Sequence, residues 1–294
     1  MSQSRLAQSP AASGSFPLWA AALIAVFVTI AFVALLFPWD AVARRLAFEI
    51  GAASGARVEI GTLAPAWTGR GPVLRANDVR IEHPSVEALR VDPLEVAPRF
   101  STSWLKGRPR LRIYADSALG RIDGVLVLGA EPAFDGRVER VAIERLPLRL
   151  EAAGVRVAGE LAAVADVALD PGGTLRGRVD FESPSLQIDA ALIPVPLRFS
   201  RATGTLAILE SGATRIEAVS LEGEQLRAKL EGEIGLVHHS QPPPLALDAD
   251  VEILDPELRA LAQAAQLPIG ADGRAALRIG GTAALPTLTL RSTP

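Results

Sequence analysis

The chain has 294 residues, 49% of them apolar and 21% charged, with a formal charge of −3. Near-neutrality excludes a nucleic-acid binder that works through a basic field. The absence of cysteine excludes disulfides, thiol nucleophiles, Fe–S ligation and cysteine lipidation.

Residues 1–16 form a short polar tail with Arg5 as its one charged side chain. Residues 17–37, PLWAAALIAVFVTIAFVALLF, carry no charge. A helix rises about 1.5 Å per residue, so roughly twenty such residues cross a ~30 Å hydrocarbon layer. Trp19 and Trp39 flank the stretch, where amphipathic rings sit well at the two membrane interfaces. The length favours a retained anchor over a cleaved signal, whose apolar core is usually only about 7–15 residues. The small-x-small site at Ala41–Ala43 falls inside the next expected helix. Arg44 and Arg45 follow the span and Arg5 precedes it. That count leans toward a cytoplasmic C-terminal side, but long following domains cross largely regardless of charge, so orientation stays open here.

Residues 38–55 read as a connecting helix. Val42, Leu46 and Ile50 recur four apart on one face, Asp40 is the expected N-cap, and Gly55 is placed to end it. From residue 56 to 294 the period falls to two, and Val58–Leu63 is the expected first strand. In 155–170 the apolar residues Val155, Val157, Leu161, Val167 and Leu169 alternate with Arg156, Glu160, Asp166 and Asp170. Leu175, Val179 and Phe181 keep the same parity; farther on Leu226, Leu230, Ile234 and Leu236 alternate with Arg227, Lys229, Glu231 and Glu233, and then Leu245, Leu247, Val251 and Ile253 alternate with Asp248, Asp250 and Glu252. Each run therefore has one dry and one wet face. Pro171–Gly172–Gly173, Ser183–Pro184–Ser185, Ser211–Gly212 and Gln241–Pro244 read as the turns between runs. One later helix is expected from Asp255–Pro256–Glu257, with Asp as N-cap and Pro at N1. A final hairpin sets GRAALRIGG against PTLTLR.

Without helices between the strands, a doubly wound parallel sheet is disfavoured, and a long curved antiparallel meander is expected. Its apolar face must be hidden in a sandwich or barrel, or left lining an open gutter. Periodicity does not choose between them. The residues expected on that core or groove face are Val155, Val157, Leu161, Val179, Phe181, Leu226, Leu230 and Ile234.

No catalytic motif appears. His83 stands alone, and His238–His239 would point to opposite faces of an extended chain, so no metal ligand set is read. Gly172 to Val179, GGTLRGRV, lacks the Gly-Lys-Ser/Thr ending of a phosphate loop and leads into a strand. Carboxylates alternating with arginines read as solubilising, cross-strand ion-pairing faces. Trp67 and Trp104 read as rings packed over an end of the sheet. No enzymatic activity, cofactor or metal is expected, and an anchored enzyme with a dispersed site is the weakest rival.

Phe37–Pro38 and the helix after it, VEIGTLAPAW, Gly69 before VLRANDVRIEHP, FDGRVERVAIERLPLRLEAAGVRVAGEL, and Gly281–Thr282 before Leu285–Pro286 together carry a resemblance. On them the chain resembles the type II secretion system protein N family, GspN, within the broader AsmA-like group. The resemblance covers nearly everything after residue 16. It implies a single-pass bacterial inner-membrane protein with a cytoplasmic tail and a periplasmic β domain. It also implies other type II secretion subunits and the inner membrane as partners. It supplies no catalytic positions. The AsmA-like group adds a second expectation, phospholipid handling through an apolar groove.

Overall fold

The computed structural model describes residues 25, 28–29, 32, 36–54, 57–69, 71–83, 86–99, 101–102, 107–117, 120–129, 131–145, 155–170, 174–190, 195–236, 242–265, 269–270, 272–282 and 285–291. The chain divides into two compact units, Met1–Trp39 and Asp40–Pro294. Of the expected span at 17–37, only Ala25, Val28, Thr29, Phe32, Leu36 and Phe37 are described, and the first five are helical. The span therefore lies largely outside the described residues, as do Trp19, the tail 1–16, Trp104 and the His238–His239 pair. No helix among the described residues is long and apolar enough to cross a membrane.

Helix α1 covers Trp39–Ser54, within the 38–55 expected for it. Asp40 is thus in the first turn and not the N-cap. Its carboxylate still faces the positive end of the helix dipole. Ala43, within the small-x-small site, is buried in α1. The Trp39 ring stacks at a tilt on Phe37, 4.7 Å between centroids.

The strands of the described residues form one antiparallel sheet. Its strands are β1 Arg57–Thr68, β2 Gly71–His83, β3 Val86–Val91, β4 Leu94–Pro98, β5 Arg110–Ser117, β6 Gly120–Val127, β7 Ala133–Ala142, β8 Val155–Leu169, β9 Leu175–Ala190, β10 Leu197–Phe199, β11 Arg201–Ile208, β12 Thr214–Glu222, β13 Leu226–Ile234, β14 Leu245–Ile253, β15 Arg274–Gly281 and β16 Pro286–Leu290. Neighbours in space follow neighbours in sequence from β1 to β16. The long β2 and β9 each carry two partners along one edge, β3 and β4 on β2, and β10 and β11 on β9. Among the described residues no ladder joins β1 to β16. Helix α2, Pro256–Ala264, follows β14. Asp255 caps it as expected, accepting from the Glu257 and Leu258 N–H groups at 2.7 and 3.2 Å.

Two expectations are corrected. Ser183–Pro184–Ser185 is not a turn, because β9 runs straight through it. The register with β8 slips there, with Glu160 opposite Ser185 and Ala162 opposite Glu182. A bulge leaves the extra residue unpaired, which is where a strand tolerates a proline without an N–H. Trp67 does not pack over the sheet's end. It pairs with Pro72 at the tip of β1 and is 80% exposed.

Candidate functional site

Residues directly opposite in an antiparallel ladder share a face, so the pairings can be followed across the sheet. One row runs Pro65, Leu74, Val96, Ile113, Gly124, Gly136, Ala165, Val179, Leu206, Ile216, Gly232, Leu247, Ile279, Leu288. The next runs Leu63, Ala76, Leu94, Ala115, Ile122, Val138, Ala163, Phe181, Gly204, Val219, Leu230, Ala249, Leu277, Leu290. Each crosses every strand of the main path and contains no polar side chain. At about 4.8 Å between strands, each row is roughly 60 Å long. A third row, from Pro98 through Leu111, Leu126, Phe134, Val167, Gly177, Ile208, Thr214 and Ile234 to Leu245, widens the face over the middle of the sheet.

Seven of the eight residues expected on the apolar face share it, and the backbone register of β8 continues through the eighth, Val155. Val179, Phe181, Leu230 and Ile234 lie in the three rows. Val155 pairs with Ala190 and Val157 with Ile188, Leu161 with Val141, and Leu226 with Ile253, on the same parity. The rows through β2–β7 were not marked in the sequence. The alternation in LRIYADS (111–117) would have found part of them, but Gly124 and Gly136 interrupt it.

Cover over this face is uneven among the described residues: Leu63, Ile216 and Leu247 of the two rows are buried, whereas most of the other large row side chains are only half-buried. The largest side chain wholly removed from water is that of Ser183, at 1%, in company with Ala115 and Ala202 at 1% each. The Ser183 hydroxyl donates to the Ser185 carbonyl at 2.9 Å. Val157, Leu161, Val179, Phe181, Leu226, Leu230 and Ile234 are all half-buried, and exposure rises to 55% at Leu288 and 60% at Leu290 on the β16 edge. Glycine keeps the surface shallow. A Cβ at Gly136 would lie 2.5 Å from the Phe134 ring, and one at Gly204 would lie 2.5 Å from the Phe181 ring. The aromatic rings rest on bare backbone.

The opposite face is polar and laced with ion pairs between strands. Arg75 meets Glu95 at 2.6 Å, Arg112 meets Asp123 at 2.7 Å, Arg121 meets Asp116 at 2.9 Å, Arg274 meets Glu252 at 2.9 Å, and Arg178 meets Glu217. The Arg121 hydrogen bond holds the Asp116 carboxyl below its usual range. Hydrogen bonds from its own backbone N–H and from that of Gly159 lower Glu144. The Asp123 and Glu252 carboxylates raise Arg112 and Arg274 respectively. Each shift favours the charged form, the opposite of what a general acid or base working near neutrality needs. A hollow of about 820 Å³ on this face has Arg137, Glu160, Asp180, Glu182, Thr203 and Ser220 in its walls. Among the described residues no three His, Asp or Glu side chains gather as a metal site.

Comparison with family models, curated proteins and solved structures found no match.

Proposed function

We propose that this chain is an accessory component of a bacterial type II secretion apparatus. One N-terminal span holds it in the inner membrane, its β domain lies in the periplasm, and it acts through contacts of the sheet and not through catalysis. The observation that carries the proposal is the pair of unbroken fourteen-residue apolar rows, most of whose large side chains are left half-buried or exposed among the described residues. A face of that length is built to be covered by another molecule. The segments that bear the family resemblance support it further, since 58–67 fall on β1 and 73–83 on β2, and Gly281 and Pro286 end β15 and begin β16. Trp39 at the start of α1, stacked on Phe37, suits the membrane interface. Co-purification of the tagged full chain from membranes tests the proposal. Recovery of secretion-machine subunits is expected. Recovery of none, with normal secretion in a deletion strain, overturns it. A mature chain beginning at Arg44 would overturn the retained span.

The half-open state of Phe181, Leu230 and their row neighbours favours a second reading, AsmA-like handling of phospholipid on the same face. It predicts lipid bound to the full chain in native mass spectra, and its loss when Leu226, Leu230 or Ile234 is replaced by Asp. Lipid-free wild-type protein excludes it.

A further inference from the structure

Both apolar rows run out at β16, the last strand of the sheet, in Leu288 and Leu290. The Arg291 N–H donates to the Ala276 carbonyl at 2.9 Å. Hydrogen-bonded and non-hydrogen-bonded pairs alternate along an antiparallel ladder. Thr289 and Thr287 therefore face inward to β15, and the N–H and C=O groups of Leu288 and Leu290 point out from the open edge. Edge strands are usually blunted by charge, yet Leu285 to Leu290 carries none, and Leu285, Leu288 and Leu290 are 78%, 55% and 60% exposed. The other edge, β1, differs in carrying the charges Arg57 and Glu59, while each edge strand holds one proline, Pro65 and Pro286.

We propose that β16 is a self-pairing edge, joining two copies of this chain about a twofold axis through Thr289. The strand is complementary to itself in one register. With Leu288 opposite the second copy's Leu290, and the reverse, both outward-facing residues of each chain form full reciprocal pairs, about four hydrogen bonds in all. Opposite residues share a face, so the first row of each copy continues into the second row of the other. Thr289 meets Thr289 on the polar face, and Arg291, already held by Asp250 at 2.9 Å, falls opposite Thr287 without a like charge. A register one step shorter sets Leu290 against Pro286, which has no N–H to give. A twofold pairing is also closed, the commonest symmetry of soluble assemblies, whereas β16-to-β1 pairing would propagate as an open filament.

The chain has no cysteine, so single-cysteine variants of the full protein in detergent report the register directly. In the proposed pair the two residue-289 Cα atoms are about 4.5 Å apart, within disulfide reach. The two residue-287 positions are offset by four residues, about 13 Å. Thr289→Cys should give a disulfide-linked dimer on mild oxidation, and Thr287→Cys should not. Leu288→Pro removes an outward N–H without touching the β15 ladder. It should raise the dimer dissociation constant roughly tenfold or more while leaving the circular dichroism spectrum unchanged. A wild-type chain that sediments as a monomer at every concentration overturns the proposal. So does equal cross-linking of the two cysteine variants, or a dimer indifferent to Leu288→Pro.

Discussion

Phe181 and Gly204 face each other in the middle of the second apolar row, and their contact sets how shallow the face is. A methyl added at Gly204 would lie 2.5 Å from Phe181 Cζ, 2.6 Å from Cε1 and 2.7 Å from Val219 Cγ2. None of these neighbours is backbone. The Gly204→Ala change gains about 0.5–1 kcal/mol from the less flexible unfolded chain. Overpacking costs about 1–3 kcal/mol. Both rings and methyls here are only half-buried and can tilt toward water, so the net effect should be a loss of about 1 kcal/mol. In a Phe181→Ala background the ring is gone and only Val219 resists. Gly204→Ala should then be neutral, leaving a coupling of about 1 kcal/mol between the two positions. Equilibrium denaturation of the four proteins in the cycle, followed by far-ultraviolet circular dichroism, measures it. If the two changes add to within about 0.5 kcal/mol, the ring does not rest on Gly204 and glycine does not set the depth of the face.

Gly177 sits at φ +146, where an added Cβ would lie 2.1 Å from the Asp166 carbonyl oxygen and 2.6 Å from Val167 Cα. Only the β8–β9 ladder itself can give way, so Gly177→Ala should cost about 3 kcal/mol or more in thermal or denaturant unfolding; a loss below 1 kcal/mol would contradict that packing. Asp255→Ala should remove the α2 cap at about 1 kcal/mol and speed hydrogen exchange at the Glu257 and Leu258 amides, with unchanged exchange as the refuting outcome. Glu144 is held below its ordinary pKa by backbone N–H groups, its own first and then that of Gly159 at 3.2 Å. A carboxyl depressed in the folded state stabilises above its unfolded pKa, near 4.3, and that contribution is lost as pH falls through the folded value. Denaturation midpoints measured from pH 6 downward should therefore fall more steeply in the wild type than in Glu144→Gln; parallel curves would count against it.

Alternation made the dry side of β8, β13 and β14 legible, because there branched aliphatics recur on one parity and the charges fall on the other. It failed where the same geometry is made with smaller residues. Gly124 and Gly136 hold row positions with no side chain at all, and the ring of Phe134 on the neighbouring row fills the space. Such a position reads as a turn residue in the sequence. Pro184 misled for a related reason, since a proline that ends a run locally is accommodated by a bulge once β8 fixes the register on both sides of it. The open edge was invisible in principle. Whether β1 meets β16 depends on the sum of twist over all the strands between them, and no window of sequence carries that sum. Asp255–Pro256–Glu257 was legible because a cap is decided within three residues.

The distribution of charge narrows what the apolar face can hold. The ion pairs between strands named above lie on the opposite side of the sheet and the two long rows hold no charged residue, so along those rows the face has nothing charged with which to select a polar guest. What it offers is length, about 60 Å of continuous row, and a relief flattened by glycine. Such a surface distinguishes guests by being long, narrow and apolar: an extended strand with hydrophobic residues on alternate positions, or acyl chains laid along it. The two readings of function therefore make the same demand on the face and opposite demands on the edge. A protein strand in the secretion reading would add to the sheet through its backbone, and pairing at β16 would compete with it. Lipid fills the face without touching the ladder, and pairing at β16 would lengthen the path it follows. Introducing Leu288→Pro in cells separates them: weaker capture of a secretion subunit points to strand addition at that edge, and unchanged capture with shortened lipid occupancy points to the face alone.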